Sequence, residues 1–349
     1  MNRKKWSKIK KEAGRHWEGR KYILALLLVF LAAILSGCAS DPKEKAGEKD
    51  TQDNGKLKVV TTIFPQYDFV REIAGDYVDL QMLLKPGEES HSYEPTPKDI
   101  IDIQNCDLFV YVGGENDAWV EDILESMDNS GRETLRLVDC VDTVEEEHVE
   151  GMKEERHLEM HDEDGEAEEG EIDEHVWTSP RNAVRIVENL TELLCQEDPI
   201  HAGEYRNSAK TYEEKLNSLD EQFRKVVEES PRKELLFGDR FPFRYFADEY
   251  GLEYYAAFPG CASDTEPSAA TMAYLINKVK EDQIPVILKM ELSNDHIAKA
   301  VAEATGAKVE VLYSCHNITA QQFKEHVTYL DLMEQNVETL KEALSDGTD

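Results

Sequence analysis

From Ala202 to Glu229 apolar residues recur at alternating steps of four and three: Tyr205, Ala209, Tyr212, Leu216, Leu219, Phe223 and Val226. One apolar face held over so many turns predicts an amphipathic helix. About 28 residues at 1.5 Å each give roughly 40 Å, enough to run the length of a domain. A coiled coil would share this pattern, but both flanks are globular in character. Upstream, short β-branched runs alternate with helical stretches. Residues 57–63 read as a strand ended by Phe64-Pro65, and 66–74 as a helix stopped by Gly75. A strand at 78–84 breaks at Pro86-Gly87, and Thr96 caps a helix that opens on Pro97. The wholly apolar run 108–112 suits a strand buried on both faces. A helix at 119–127 and a strand at 135–138 follow, and after Pro180 a helix at 182–194. Downstream the same rhythm places strands at 235–237, 254–258, 286–290 and 309–313, helices at 242–250, 268–281 and 297–305, and one terminal helix over 319–345. Strand–helix alternation predicts an α/β protein of two parallel-sheet lobes joined by one long backbone helix.

Charge and composition divide the chain further. Residues 1–38 carry a basic leader, an apolar run from Tyr22 to Leu35 too short to span a bilayer, and Leu35-Ser36-Gly37-Cys38, the pattern of a secretory signal. A Cys after Leu-Ser-Gly resembles a bacterial lipobox, which makes Cys38 the lipidated residue. Residues 39–56 lack apolar pattern and read as a solvated tether. Residues 57–195 then form the first lobe, 196–230 the backbone helix and 231–349 the second lobe. Within the first lobe, 142–174 is dominated by Asp and Glu, and like-charge repulsion predicts a disordered insertion. The net charge of −34 disfavours nucleic acid as a partner and suits attraction of cations. Besides Cys38 there are Cys106, Cys140, Cys195, Cys261 and Cys315. An odd number cannot all pair internally; Cys261 with Cys315 and Cys106 with Cys140 are candidate disulfides, and Cys195 reads as a buried thiol.

The candidate chemistry lies in histidines held in turn-forming frames. His91 stands in Ser-His-Ser-Tyr-Glu-Pro-Thr-Pro and His175 in Asp-Glu-His-Val-Trp-Thr-Ser-Pro, with His148, His157 and His161 in the acidic stretch between them. Neutral imidazole is a common ligand of d-block metals. Ligands of an open parallel sheet gather at strand carboxyl ends. His91 fits that place in the first lobe and His316 in the second. His201, His296 and His326 read as surface residues.

These motifs together resemble one family. The lipobox, Val59-Val60-Thr61-Thr62-Ile63-Phe64-Pro65, the His91 and His175 frames, and Ala302-Glu303-Ala304-Thr305-Gly306-Ala307-Lys308-Val309 are similar to those of zinc/manganese ABC-transporter solute-binding proteins. The acidic His-bearing insertion is like that of the zinc-binding branch. The resemblance runs from about Lys58 to the C-terminus. It implies two α/β lobes joined by a rigid helix, a single metal between them, a monomer on a lipid anchor, and delivery to an ABC permease in the cytoplasmic membrane. Its metal set carries over as His91, His175 and Glu291. At the remaining position the chain departs: Arg240 stands where a His or Glu is expected, and Arg has no lone pair to donate. Its neighbour Asp239 has suitable chemistry, and the competing reading is that Asp239 pairs with Arg240 or caps a helix. Two imidazoles with carboxylates suit Zn2+, and Mn2+ with more oxygen donors.

Two other classes compete. A secreted zinc hydrolase would use metal-bound water with Glu291 or Asp239 as base, but the chain has no His-Glu-x-x-His helix and no nucleophile motif. An adhesin-like lipoprotein would hold its metal structurally. The reading favoured by the sequence is a receptor that captures zinc, with no enzymatic activity.

Overall fold

The structure, a computed structural model, describes residues 55–89, 93–114, 117–127, 131–152, 171–262 and 266–347. His91, His157, His161 and Cys38, with the leader and the tether up to residue 54, lie outside the described residues. The first sheet is built from β1 (Leu57–Thr61), β2 (Val78–Met82), β3 (Leu108–Tyr111) and β4 (Glu133–Arg136), with helices α1 (Phe64–Ala74), α2 (Pro97–Gln104) and α3 (Ala118–Ser126) between them. All pairings are parallel, in the order β2-β1-β3-β4. Helices α4 (Pro180–Glu197) and α5 (Ala202–Glu229) follow. The second sheet comprises β5 (Glu234–Phe241), β6 (Glu253–Pro259), β7 (Val286–Lys289) and β8 (Lys308–Val311), interleaved with α6 (Arg244–Tyr250), α7 (Ala269–Asp282) and α8 (His296–Thr305). It too is parallel, ordered β6-β5-β7-β8, so the two sheets repeat one topology. The chain ends in α9 (Ala320–Lys324) and α10 (Tyr329–Ala343).

Helix α5 spans the residues its periodicity predicts and buries the same face, from Tyr205 to Val226. That face meets α1 and α4 on one side and α6 and α10 on the other. Tyr212 lies 6.2 Å from Phe69, and Phe223 stands edge-on to Phe246 at 4.9 Å. One apolar cluster consequently runs from Val59 through Phe223 to Leu344, continuous across both sheets. Each fully buried aromatic ring stabilises the fold by about 1.5–3 kcal/mol of transfer free energy. No helix among the described residues is long and apolar enough to cross a membrane.

Several local expectations are corrected. Phe64-Pro65 does not merely end β1 but opens α1, because Pro fits the first helical turn and the Gln66 side chain accepts from the backbone N–H groups of Thr62 and Ile63 at 3.0 Å. The terminal helix is two helices. Thr328 and Asp331 form a reciprocal capping box that starts α10 afresh, and His326 adopts a left-handed φ of 55° in the break. The acidic insertion is ordered at its stem. Glu145 bridges Ile172, Asp173 N–H donates to Val144 O, and Glu146 accepts from Cys261 N–H of the second sheet's half. The five described cysteines are free thiols, so neither candidate disulfide forms. Cys195 is buried, as its place on α4 predicts.

Candidate metal centre

His175 sits at the foot of the insertion, fully buried. Its backbone N–H and its ring Nδ1 both lie on Asp173 Oδ1, at 2.8 and 3.0 Å. A single 3-10 turn over Val176–Thr178 leads to Ser179, which caps α4 by accepting from Asn182 N–H, with Pro180 in the first turn. This is why the Trp-Thr-Ser-Pro frame holds the histidine rigidly. The second half closes over it. Tyr245 Oη donates to Asp173 O at 2.7 Å, and Trp177 Nε1 donates to Ser314 O at 2.8 Å. Gly260 leaves the space the imidazole needs: a Cβ there would stand 3.0 Å from His175 Cε1 and 2.8 Å from Phe241 O.

Past β7 and β8 the second sheet brings up Glu291 and the run Ser314-Cys315-His316. Glu291 accepts from Ser314 N–H at 2.7 Å and from the Ser314 hydroxyl at 2.8 Å. Burial pushes its carboxyl above the usual glutamate range, and these bonds oppose the shift. Ser314 Oγ also lies 2.9 Å from His316 Nδ1. The His316 ring stands edge-on to His175 with centroids 4.7 Å apart, and edge-on to Trp177 at 4.9 Å. Two non-glycine residues with left-handed backbone flank these groups, Leu292 at φ 60° and Cys315 at φ 63°. Such conformations persist where surrounding structure over-determines them, and they cluster at binding sites.

Asp239 and Arg240 are placed differently from the sequence expectation. Strand β5 continues through both, so neither lies in a loop after it. Asp239 Oδ2 accepts from Met290 N–H at 3.0 Å and from the Ser293 hydroxyl, and Oδ1 accepts from Arg240 N–H. The carboxylate thus ties β5 to the turn after β7, instead of pairing with the Arg240 guanidinium or capping a helix. Arg240 reaches across to the first half, donating to Glu89 Oε1 at 3.0 Å and to Ala262 O at 3.3 Å. Buried Asn317 makes a parallel tie, its Nδ2 donating to Lys85 O and Glu88 O at 2.7 and 2.8 Å.

The structure thus brings His175 from the first half against His316 from the second, with Glu291 one hydroxyl away from His316. Among the described residues no group of three or more His, Cys, Asp or Glu side chains is gathered as around a bound ion. His148, His296 and His326 are exposed, and His201 pairs with Asp198 beside Tyr77. His316 carried only a weak sequence signal, its place just beyond a strand's carboxyl end.

Two parallel sheets, each with its strand order reversing beneath a shared cleft, define a two-lobed α/β binding protein. Comparison with known proteins makes the assignment specific. The family described as "Zinc-uptake complex component A periplasmic" matches residues 59–343, and the chain belongs to that family. The high-affinity zinc uptake system protein ZnuA of Bacillus subtilis is 33% identical over 321 residues, covering 91% of this chain and 97% of that one. Zinc-binding lipoprotein AdcA of Streptococcus pneumoniae is 32% identical over 320 residues. There the match covers 91% of this chain but 60% of the relative, so the chain spans well under the full length of AdcA. The crystal structure of the Zn(II)-bound ZnuA-like domain of that AdcA superposes with a TM-score of 0.69 at 30% identity, covering 84% of this chain and all of that domain.

Proposed function

We propose that this protein is the extracytoplasmic receptor of an ABC importer, capturing Zn2+ between its lobes and handing it to a membrane permease. The observation that carries the reading is the buried imidazole of His175, fixed by Asp173 and facing groups of the opposite lobe. His175 and Glu291 are metal ligands in this reading. His91 joins them on its sequence motif alone. The role of Asp239 is to hold the Met290–Ser293 turn from which Glu291 projects, since its oxygens already accept from that turn. Imidazole nitrogens with a carboxylate are a donor set suited to zinc. The zinc is cargo and undergoes no reaction, so affinity and release constitute the mechanism and the protein is not an enzyme. Cys38 carries the lipid that keeps the receptor, as a monomer, at the outer face of the cytoplasmic membrane. The family match over 59–343 and the zinc-uptake names of its relatives support the cargo and the partner.

Elemental analysis of the purified protein, followed by Zn2+ titration against a chromophoric chelator, tests the reading. The expected result is a single tightly held Zn2+ per chain that His175→Ala releases. Failure of the wild-type protein to take any Zn2+ from the chelator overturns it.

A further inference from the structure

We infer that an aromatic and aliphatic patch at the base of the first lobe rests on the lipid surface to which the receptor is tethered. The inference rests on the reading of Cys38 as the lipidated residue and extends it to a face of the folded protein. Of the exposed large apolar side chains described, Ile200 is the barest at 85%. It stands with exposed Pro199 in the turn between α4 and α5. The ring of its neighbour His201 lies 4.5 Å from that of Tyr77, which is 42% exposed. Tyr77 in turn stands edge-on to buried Tyr205 at 6.2 Å. The Asp198 carboxylate is taken up locally: Tyr205 Oη donates to it at 2.7 Å, and His201 Nδ1 lies 2.6 Å away. The rings are thus fixed before any contact, which keeps the ordering cost of binding low.

The exit and length of the tether say what covers this patch. Leu57 pairs with Val78, so the chain enters the sheet directly beside Tyr77. Lys56 follows Cys38 by 18 residues. A solvated tether of that length averages roughly 25 Å end to end and spans about 60 Å at full stretch. Lipid is therefore held near Tyr77 and Ile200 at an effective concentration that makes a weak contact sufficient. The net charge of −34 repels anionic lipid, so the apolar patch must make the contact. Tyrosine favours the headgroup level, and isoleucine the boundary with the acyl chains. The cleft lies at the other end of the sheet: Leu84, past the end of β2, lines the crevice with Trp177, whereas Tyr77 stands just before the start of β2. Resting on this patch, the receptor holds its cleft away from the bilayer, open to zinc in solution. The full stretch of the tether exceeds the roughly 40 Å of α5, so the protein can lift off and turn its cleft to the permease.

The test uses the full-length lipidated protein on vesicles of phosphatidylethanolamine and phosphatidylglycerol that carry a headgroup-nitroxide lipid. Mass spectrometry first reads the modification of Cys38. Three exposed isoleucines then serve as internal probes: Ile200 in the patch, Ile101 on α2 and Ile172 on the stem of the insertion. The δ1-methyl NMR signal of Ile200 should be broadened severalfold more than those of Ile101 and Ile172. Tyr77→Glu should abolish that excess while Zn2+ binding and Tm stay as in wild type. Because that variant can misfold, the wild-type comparison among the three isoleucines stands as an independent reading. With lipid on Cys38, equal broadening at all three overturns the inference and leaves the anchor reading intact; it is also the outcome expected if a second copy covers the patch. Strongest broadening at Ile172, three residues before His175, would turn the cleft toward the bilayer and overturn it as well. An unmodified Cys38 fails the anchor reading and this inference with it.

Discussion

The two sheets share one strand order, yet the points where that order reverses are built differently. Between β1 and β3 the buried carboxylate of Asp117 accepts from Val112 and Gly113 N–H at 2.8 and 3.1 Å, a tie only four or five residues long. Between β5 and β7 the matching carboxylate, Asp239, comes from the neighbouring strand and reaches Met290 from 51 residues away. The crevice beside Asp117 is otherwise lined by Thr62, Ile63, Val112, Glu174 and Trp177 of the first lobe and His316 of the second; that beside Asp239 by Arg240, Glu291 and Ser293 of the second lobe and Glu89 of the first. The first crevice is therefore mostly apolar, its charge confined to Asp117 and Glu174, and the second is mostly polar, with Arg240 set among carboxylates from both lobes. A metal site spanning both would owe its position to the first lobe and its electrostatics to the second.

The largest effect should come from the group that joins the two regions. Trp177 is wholly buried, donates to Ser314 O and packs on both His175 and His316. Trp177→Ala should cost about 3–5 kcal/mol in urea unfolding, and an unchanged midpoint would mean the lobes do not depend on this contact. Next come the two carboxylates. Asp117→Ala and Asp239→Ala should each cost about 2–4 kcal/mol, because each strands buried backbone N–H groups. Only Asp239→Ala should also weaken Zn2+ binding strongly, by about 10–100-fold, as removal of a supporting partner does. Equal losses of affinity in the two variants would abolish the distinction between the lobes.

The same contrast explains what the sequence could and could not reveal. The first lobe's strands and caps follow from local signals: β-branched runs, Thr96 before Pro97, Gly75 after α1. The length of β5 does not. Gly238 looks like a break, but it is glycine because α8 crosses so closely that a Cβ would sit 2.5 Å from Ala298 Cα. The apolar run 235–237 ends just before it, so the expected strand stops short of Asp239 and Arg240, which β5 in fact includes. The disulfide expectation failed for a related reason: residues following neighbouring strands need not face each other, and Cys315 turns its backbone left-handed beside His316. Periodicity over α5 was sufficient in itself, since seven apolar positions on one face admit a single burial pattern. The break before α10 is written in Thr328 and Asp331, whose reciprocal bonds restart the helix, a signal that the single-helix expectation over 319–345 does not take in.

A third carboxylate spans the two regions and gives the comparison a pH axis. Asp68 on α1 is fully buried and accepts from Tyr329 N–H at the start of α10 and from Arg71. Burial pushes its carboxyl from 3.8 up to about 7, against the pull of Arg71. An acid raised in the folded state holds its proton there while the unfolded chain has lost it. The folded state then binds more protons between those two values, so this group's contribution to stability is full below about 4, falls as pH rises toward 7 and is level above that. Asp68→Asn should flatten this contribution, with the difference in Tm between wild type and variant changing by roughly 5 °C across the window. A constant difference from pH 4 to pH 7 would show that Asp68 titrates normally.

The smallest effect separates two ties that otherwise look alike. Asn317 and Arg240 both reach from the second half to the segment 85–89, but Asn317 is buried and neutral whereas the Glu89 side chain is 46% exposed. An ion pair with one partner so open to water gains little, because solvent screens it and ordering two long side chains costs entropy. Glu89→Gln should therefore change stability by less than about 1 kcal/mol, and the change should vanish in high salt as the Debye length falls to about 3 Å at 1 M. Arg240 keeps its bond to Ala262 O in that variant and has no reason to move. If Glu89→Gln instead cost as much as Asn317→Ala, at low and high salt alike, the Arg240–Glu89 contact would behave as a buried pair. The charge of the second crevice would then be closed off from solvent, and the contrast between a mostly apolar crevice and a charged, water-facing one would have to be redrawn.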